Sequence, residues 1–341
     1  MTEPTITTTV YARTDLGKTR EINEDTFLVA DLSSGESRIE SELAECHVGP
    51  RGLLFLVADG MGGAAAGELA SAMAADLIYG HMIGTWTKEP AEEVSEKRFT
   101  LRLREAVDLA NLQIHTYARE HPDLRGMGTT ATVAGVFGTS LYFAQVGDSR
   151  GYIVRHGKAV QLTKDQSLTQ RLVDAGEMTE EQAETSARRN IILQALGPDA
   201  KISVELSYEE LRRGDTLVLC SDGLSGLVKR DEIASMIEVQ PDLEKLGMEL
   251  IALANARGGP DNITVVLARF DGDALQPADE AGPEYHKYLT SSDREELAVA
   301  PVPAPFTPAV PPEQRMGSPT GMALLVIGSI VVLLALFFAL V

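Results

Sequence analysis

The most organised hydrophobic stretch of the chain is residues 53–58, Leu-Leu-Phe-Leu-Val-Ala, which stops abruptly on Asp59 and the glycines Gly60, Gly62 and Gly63. An apolar run of this length without polar alternation predicts a strand buried on both faces, so that Asp59 is carried to the rim of a core. The glycines remove side chains where another group must approach the backbone. An Asp-Gly pair is also an ordinary turn signature, and Asp271-Gly272 ends a second apolar run with no such company. Elsewhere, alternation predicts strands over 6–14, 26–31, 129–137, 141–146, 152–155, 159–162, 216–220 and 263–270, with His156-Gly157 as a hairpin turn and 33–51 as a polar hairpin excursion. Helical spacing places Leu69, Met73 and Leu77 on one face of 65–83. In 99–118 it sets Leu103, Val107, Ala110, Ile114 and Tyr117 inward and Arg102, Arg104, Glu105 and Asp108 outward. Two further helices are predicted near 231–238 and 243–256. Strands, helices, strands and helices thus come in segregated runs, which indicates an α+β layered domain rather than alternating βαβ winding. The charged, helix-prone residues 163–200 are expected as a mobile lobe laid over the sheet.

Composition narrows the possibilities. With 341 residues and 44% hydrophobic content there is material for one large domain with extras. A formal charge of −20, from 50 acidic against 30 basic residues, opposes a nucleic-acid partner because a phosphate backbone would be repelled. The two cysteines, Cys46 and Cys220, lie far apart outside any metal or disulfide motif, and Cys220 reads as a small buried filler. Past Asp271, seven prolines between 301 and 319 predict an extended linker over 272–320. Residues 321–341 carry no charge, and at about 1.5 Å per residue a helix there covers the roughly 30 Å hydrocarbon layer. The expectation is therefore a soluble domain over 1–271 and a C-terminal membrane anchor. No secretory signal opens the sequence, and Arg315 precedes the apolar stretch, so the domain is expected on the cytoplasmic side.

Asp25, Asp59, Asp148, Asp222 and Asp261 all fall at expected strand ends, where a rigid sheet holds a carboxylate while leaving its oxygens accessible. Aspartates converging without His or Cys define a hard, all-oxygen site suited to Mg²⁺ or Mn²⁺. Two such ions can share a carboxylate and polarise a water, and Arg20 offers a planar fork for phosphate. Phosphoester hydrolysis follows from these parts. Each member also has a plainer role open to it: Asp148 can close a hairpin and pair with Arg150, and Gly259-Pro260-Asp261 repeats Gly197-Pro198-Asp199.

Six blocks, in order, carry a family resemblance: Arg20 with Asn23-Glu24-Asp25, Asp59-Gly60-Met61-Gly62-Gly63, Gly128-Thr129-Thr130, Gly147-Asp148-Ser149-Arg150, Ser221-Asp222-Gly223-Leu224, and Gly259-Pro260-Asp261-Asn262-Ile263-Thr264. Together they resemble the bacterial branch of the metal-dependent type 2C protein serine/threonine phosphatases. The resemblance implies a four-layer α-β-β-α sandwich that hydrolyses phosphoserine and phosphothreonine in proteins, the substrates of a bacterial serine/threonine kinase. It further implies that Asp59 bridges two Mn²⁺ or Mg²⁺ ions, that the Gly60 carbonyl ligates one, and that Asp222 and Asp261 ligate the other. Asp148 with Asp222 would hold a weaker third ion, Glu24 and Asp25 metal-bound waters, and Arg20 the phosphate, under a flap formed by 163–200. Met61 and Ala64 stand where relatives carry a histidine, and none of the six histidines lies in a matched block, which leaves the leaving-group proton to metal-bound water. Two other readings compete: a membrane-tethered phosphoprotein-binding module without turnover, and a phosphoesterase acting on small molecules.

Overall fold

The computed structural model describes residues 5–38, 43–279 and 282–290. In chain order, β1 (Thr7–Asp15), β2 (Asp25–Asp31), β3 (Glu36–Arg38), β4 (Leu43–His47) and β5 (Leu53–Met61) precede two long helices, α1 (Ala64–Gly84) and α2 (Glu96–Glu120). Next come β6 (Gly128–Thr129), β7 (Ala131–Phe137), β8 (Ser140–Val146), β9 (Arg150–Arg155), β10 (Lys158–Gln161) and the short helices α3 (Leu168–Asp174) and α4 (Glu180–Thr185). The chain continues with β11 (Glu205–Glu210), β12 (Thr216–Cys220), the one-turn α5 (Asp222–Ser225), α6 (Arg230–Val239), α7 (Leu243–Ala256), β13 (Ile263–Asp271) and β14 (His286–Lys287).

One sheet runs β10-β9-β12-β13-β1-β4 and the other β14-β11-β8-β7-β5-β2-β3, with β6 paired to β5. The apolar run of β5 explains the stacking. Leu54, Leu56 and Ala58 pack outward against Ala70, Ala74 and Ile78 of α1 and Phe99, Leu103 and Val107 of α2. Leu53, Phe55 and Val57 point the other way, into a core shared with Leu217, Leu219, Val266 and Phe270 of the opposite sheet. A third core lies between that sheet and the α6–α7 pair, where Val218, Val265 and Leu267 meet Leu246 and Leu250. Three cores between four layers make an α+β sandwich with helices outside and sheets inside. Cys220 is fully buried in the third core, and burial pushes its thiol up to about 12.

Three departures from the sequence expectations have physical reasons. The excursion at 33–51 is no self-contained hairpin: β3 pairs with β2 while β4 crosses over to pair with β1 in the other sheet. The strand expected over 129–137 is divided at Thr130 into β6 and β7, both paired with β5, and Thr130 N keeps the register by donating to the Asp59 carbonyl. The third concerns the stretch expected as linker from residue 272. The first compact unit runs to Arg294, and β14 adds to the edge of β11. There Tyr288 packs edge-on against Tyr142 and Tyr208, its N–H bonds the Leu206 carbonyl, and Arg104 of α2 donates to Thr290. A chain ending at Asp271 would expose the β11 edge and this aromatic cluster. It is expected to melt about 3–6 °C or more below one ending at Arg294, as read by calorimetry. The anchor expected at 321–341 lies outside the described residues, and among the described residues no helix is long and apolar enough to cross a membrane.

Candidate active site

The site begins as a defect in a sheet. In the antiparallel pair β2–β5, Asp25 stands directly opposite Asp59, two like charges where cross-strand partners normally attract. The main chain at Asp59 is fixed independently of its carboxylate: its N–H donates to Thr130 Oγ1 at 2.9 Å, and its carbonyl accepts from Thr130 N at 2.9 Å and Thr129 Oγ1 at 3.0 Å. Gly60 follows because nothing larger fits. A Cβ there would lie 2.3 Å from the Gly67 carbonyl oxygen of α1 and 2.5 Å from that of Glu24. Gly62 and Gly63, at φ of 113° and 93°, turn the chain from β5 into α1 in a region closed to most residues.

Asp25 is held from the other sheet. Its Oδ2 accepts from Thr264 Oγ1 at 2.6 Å and Ser221 Oγ at 2.8 Å, and Thr264 N in turn donates to Ser221 Oγ. Asp222 follows Ser221 as the first residue of α5, and its carboxyl comes within hydrogen-bond reach of Asp59. Asp148, two residues past β8, is buried with its Oδ1 unpartnered. Arg150, which could have neutralised it, instead turns to Asp165 at 2.7 Å. Asp261, before β13, takes Arg20 Nη2 on its Oδ2 at 2.9 Å and its neighbour's N–H on Oδ1. Arg20 also lies 3.6 Å from Glu24, whose Oε1 is buried without a partner.

These contacts shift the titrations in one direction. Burial, then the charges of Asp25, Asp222, Asp148 and Asp261, raises Asp59 well above the ordinary carboxylate range. Burial lifts Asp25 to about 7 against the pull of its two hydroxyl donors, and lifts Asp148 to about 8 with help from Asp222. Asp222 is raised by burial and by Asp261, and Glu24 by burial. Arg20 is raised by its hydrogen bond to Asp261. A cluster of this kind stores repulsion that either protons or a cation would relieve.

The structure thus brings Asp25, Asp148, Asp222 and Asp261 close enough for their charges to be felt at Asp59. Among the described residues, no three Asp, Glu, His or Cys side chains form a ready-made metal shell. The reason lies in the hydrogen bonds: Asp25 leans on Thr264 and Ser221, and Asp261 leans on Arg20. The donor set is nonetheless all oxygen, with orphaned carboxyl oxygens on Asp148 and Glu24. It fits a hard divalent ion that keeps several waters and takes few carboxylates. The supporting hydroxyls and amide stand in the matched blocks, but what they hold is visible only in three dimensions. Asn262 shows it best: its Oδ1 accepts from Glu24 N, and its Nδ2 donates to the carbonyls of Leu16 and Ile22, so one amide stitches the Arg20 loop to β13. Arg189 was also missed; it lies in the 163–200 segment, and its charge is felt at Asp222.

Comparison with known proteins places this geometry in a class. Residues 42–263 match the family model described as protein phosphatase 2C. The serine/threonine phosphatase stp of Listeria welshimeri is 36% identical over 255 residues, covering 75% of this chain and 93% of that protein. The serine/threonine protein phosphatase PstP of Mycobacterium tuberculosis is 36% identical over 268 residues, 79% of this chain and 46% of that protein. Among solved structures, the S. agalactiae serine/threonine phosphatase superposes with a TM-score of 0.66 at 32% identity, over 76% of this chain and 98% of that one. The catalytic domain of PstP, solved with two manganese ions, superposes with a TM-score of 0.61 at 34% identity, over 78% of this chain and 99% of that one. The chain belongs to the protein phosphatase 2C family and is a serine/threonine phosphatase.

Proposed function

We propose that the protein hydrolyses phosphoserine and phosphothreonine in phosphoproteins, the substrates of a bacterial serine/threonine kinase, at a site built for two Mn²⁺ or Mg²⁺ ions. The observation that carries this reading is the opposed pair Asp25–Asp59 with Asp222 in hydrogen-bond reach, a charge arrangement that the fold maintains at its own cost. The family's use of Mn²⁺ or Mg²⁺, and the two manganese ions in the PstP structure, support the same assignment. In this reading Asp59 would be shared between the two ions, with the Gly60 carbonyl on one and Asp222 and Asp261 on the other. Asp148 would join Asp222 for a weaker third, and Glu24 and Asp25 would act through water. The chemistry such ions supply is Lewis-acid polarisation of the phosphoryl oxygens and of the attacking water.

The chain's own residues do the rest. Thr129 and Thr130 hold the Asp59 backbone and so fix where its side chain leaves the strand. Arg20, 45% exposed at the mouth, presents a guanidinium that can hold two phosphate oxygens once it leaves Asp261. No histidine occupies the Met61 or Ala64 position, so the proton for the leaving serine or threonine oxygen is assigned to water in the site. Arg20→Ala is expected to raise KM for a phosphothreonine peptide roughly tenfold with a smaller change in kcat, as steady-state kinetics would show. An unchanged KM would remove Arg20 from phosphate binding.

We further infer that residues 321–341 tether the domain to the inner face of a membrane, from their length and lack of charge. Deleting them is expected to move the protein from the membrane pellet to the soluble fraction on cell fractionation. Continued pelleting would contradict the tether. Saturating Mn²⁺ with no release of phosphate from any phosphopeptide would favour a binding module. A preference for nucleotides or sugar phosphates over phosphopeptides would favour a small-molecule phosphoesterase.

A further inference from the structure

The helix α2 is apolar along its inner face, where Val107, Ala110 and Ile114 are buried, yet the same face carries Asn111 at 1% exposure. A buried amide is costly unless all of it is bonded. Here both ends are used, on two backbone groups of one turn: Nδ2 donates to the Asp199 carbonyl at 3.0 Å, and Oδ1 accepts from Gly197 N at 2.9 Å. One helical turn further on, half-buried His115 donates from Nδ1 to the Gly197 carbonyl at 2.8 Å. The turn so gripped admits only glycine at its corner. Gly197 has a φ of 105°, and a Cβ there would lie 2.6 Å from the Met127 carbonyl oxygen.

Two paths leave this turn. Backwards, the chain returns through Leu193, whose N–H bonds the Gln166 carbonyl, and Ile191, whose carbonyl accepts from Leu168 N, to Arg189, whose charge is felt at Asp222. Sideways, Leu196 and Thr129 exchange both backbone hydrogen bonds, at 2.8 and 3.0 Å, and Thr129 Oγ1 donates to the Asp59 carbonyl. The grip of α2 on residues 197–199 is therefore continuous with both the segment that approaches the notch and the strand that presents Asp59.

We propose that Asn111 and His115 are positioning residues. They fasten the return limb of the 163–200 segment to α2 and so set where that limb lies over the acidic notch when a phosphoprotein binds. This rests on the reading of 163–200 as a flap over a phosphatase site. A leucine at 111 would pack against the same apolar neighbours but could not locate the turn, which is what separates this role from simple core filling.

The test uses the full chain with His115→Phe, which removes one donor at a half-buried position, and Asn111→Ala, which removes both amide bonds. Trypsin cleavage after Arg188 and Arg189, followed by fragment mass, is expected to run about tenfold faster in both variants, the effect of losing one or two net hydrogen bonds from a local opening equilibrium. KM for a phosphothreonine peptide is expected to rise about fivefold while kcat on p-nitrophenyl phosphate stays within about twofold, because a small substrate needs no flap contact. His115→Gln, which restores a donor, should recover most of both effects. Unaltered cleavage and KM with a lowered Tm would overturn the proposal in favour of structural support alone. So would an equal loss on both substrates. Should Asn111→Ala fail to fold, His115→Phe decides. A parent protein inactive on all phosphopeptides would count against the functional reading, while the cleavage rates would still judge the anchoring.

Discussion

Asp59→Asn is expected to abolish phosphatase turnover while leaving the metal-free fold at least as stable as the parent. The main-chain contacts of residue 59, to Thr129 and Thr130, do not involve its side chain and survive the change. What is lost is a carboxylate opposed to Asp25 and within reach of Asp222. An uncharged amide of the same shape relieves that repulsion by about 1 kcal/mol, on the scale of like charges set opposite each other in a sheet. For a domain of this size such relief raises Tm by about 2–4 °C in the presence of chelator. Activity moves the opposite way. If Asp59 holds both ions, several kcal/mol of transition-state stabilisation disappear with it, and kcat should fall roughly a thousandfold or more. Calorimetry in EDTA and a phosphopeptide assay in Mn²⁺ read the two effects separately. A rate near that of the parent would show that Asp59 is not a ligand. A large fall in Tm would show that its charge supports the fold.

The second large effect is an inverted dependence of stability on pH. Most carboxylates are paired in the native state, so stability falls on acidification. Asp25 and Asp148 behave in reverse: burial lifts them to about 7 and about 8, above the roughly 4 of an unfolded aspartate. Between those values the folded state binds more protons than the unfolded one, so each unit of rising pH costs stability. The contribution is complete below about pH 4 and has gone once pH exceeds the folded values. The metal-free protein is therefore expected to melt at a higher temperature at pH 5.5 than at pH 8.5, with the two groups together contributing on the order of 5 kcal/mol across that range. Saturating Mn²⁺ should flatten or reverse the trend, because the cation replaces the protons. A metal-free protein that becomes steadily more stable from pH 5.5 to 8.5 would mean that the acids do not press on one another.

How much of this was legible in the sequence depends on the kind of residue. The double burial of β5 was legible because its apolar run has no polar alternation, although the strand continues past Asp59 to Met61. The acids stood out as a set because each falls at or near the end of an apolar strand. By contrast β11, Glu-Leu-Ser-Tyr-Glu-Glu, looks like a charged loop, since its outer acids are spent on the edge: Glu209 pairs with Arg155 and His286, and Glu205 with Tyr285. β14 is two residues long and exists only by adding to β11, so no local pattern could reveal it. Thr130, Ser221, Thr264 and Asn262 stood out only as members of the matched blocks, with no role attached, and Asn111 not at all, for another reason. Hydroxyls and amides carry no periodicity, and their meaning lies in partners up to hundreds of residues away. The choice of Arg150 between Asp148 and Asp165 was likewise a matter of three dimensions; by going to Asp165 it leaves Asp148 to the notch.

The most direct trial of the account is phosphate release from a phosphothreonine peptide as Mn²⁺ is added to the chelator-stripped protein. The expected result is no release without metal, saturable release with it, and neither in Asp59→Asn. Release at an undiminished rate in excess chelator, or none from the parent protein at saturating Mn²⁺, would contradict it.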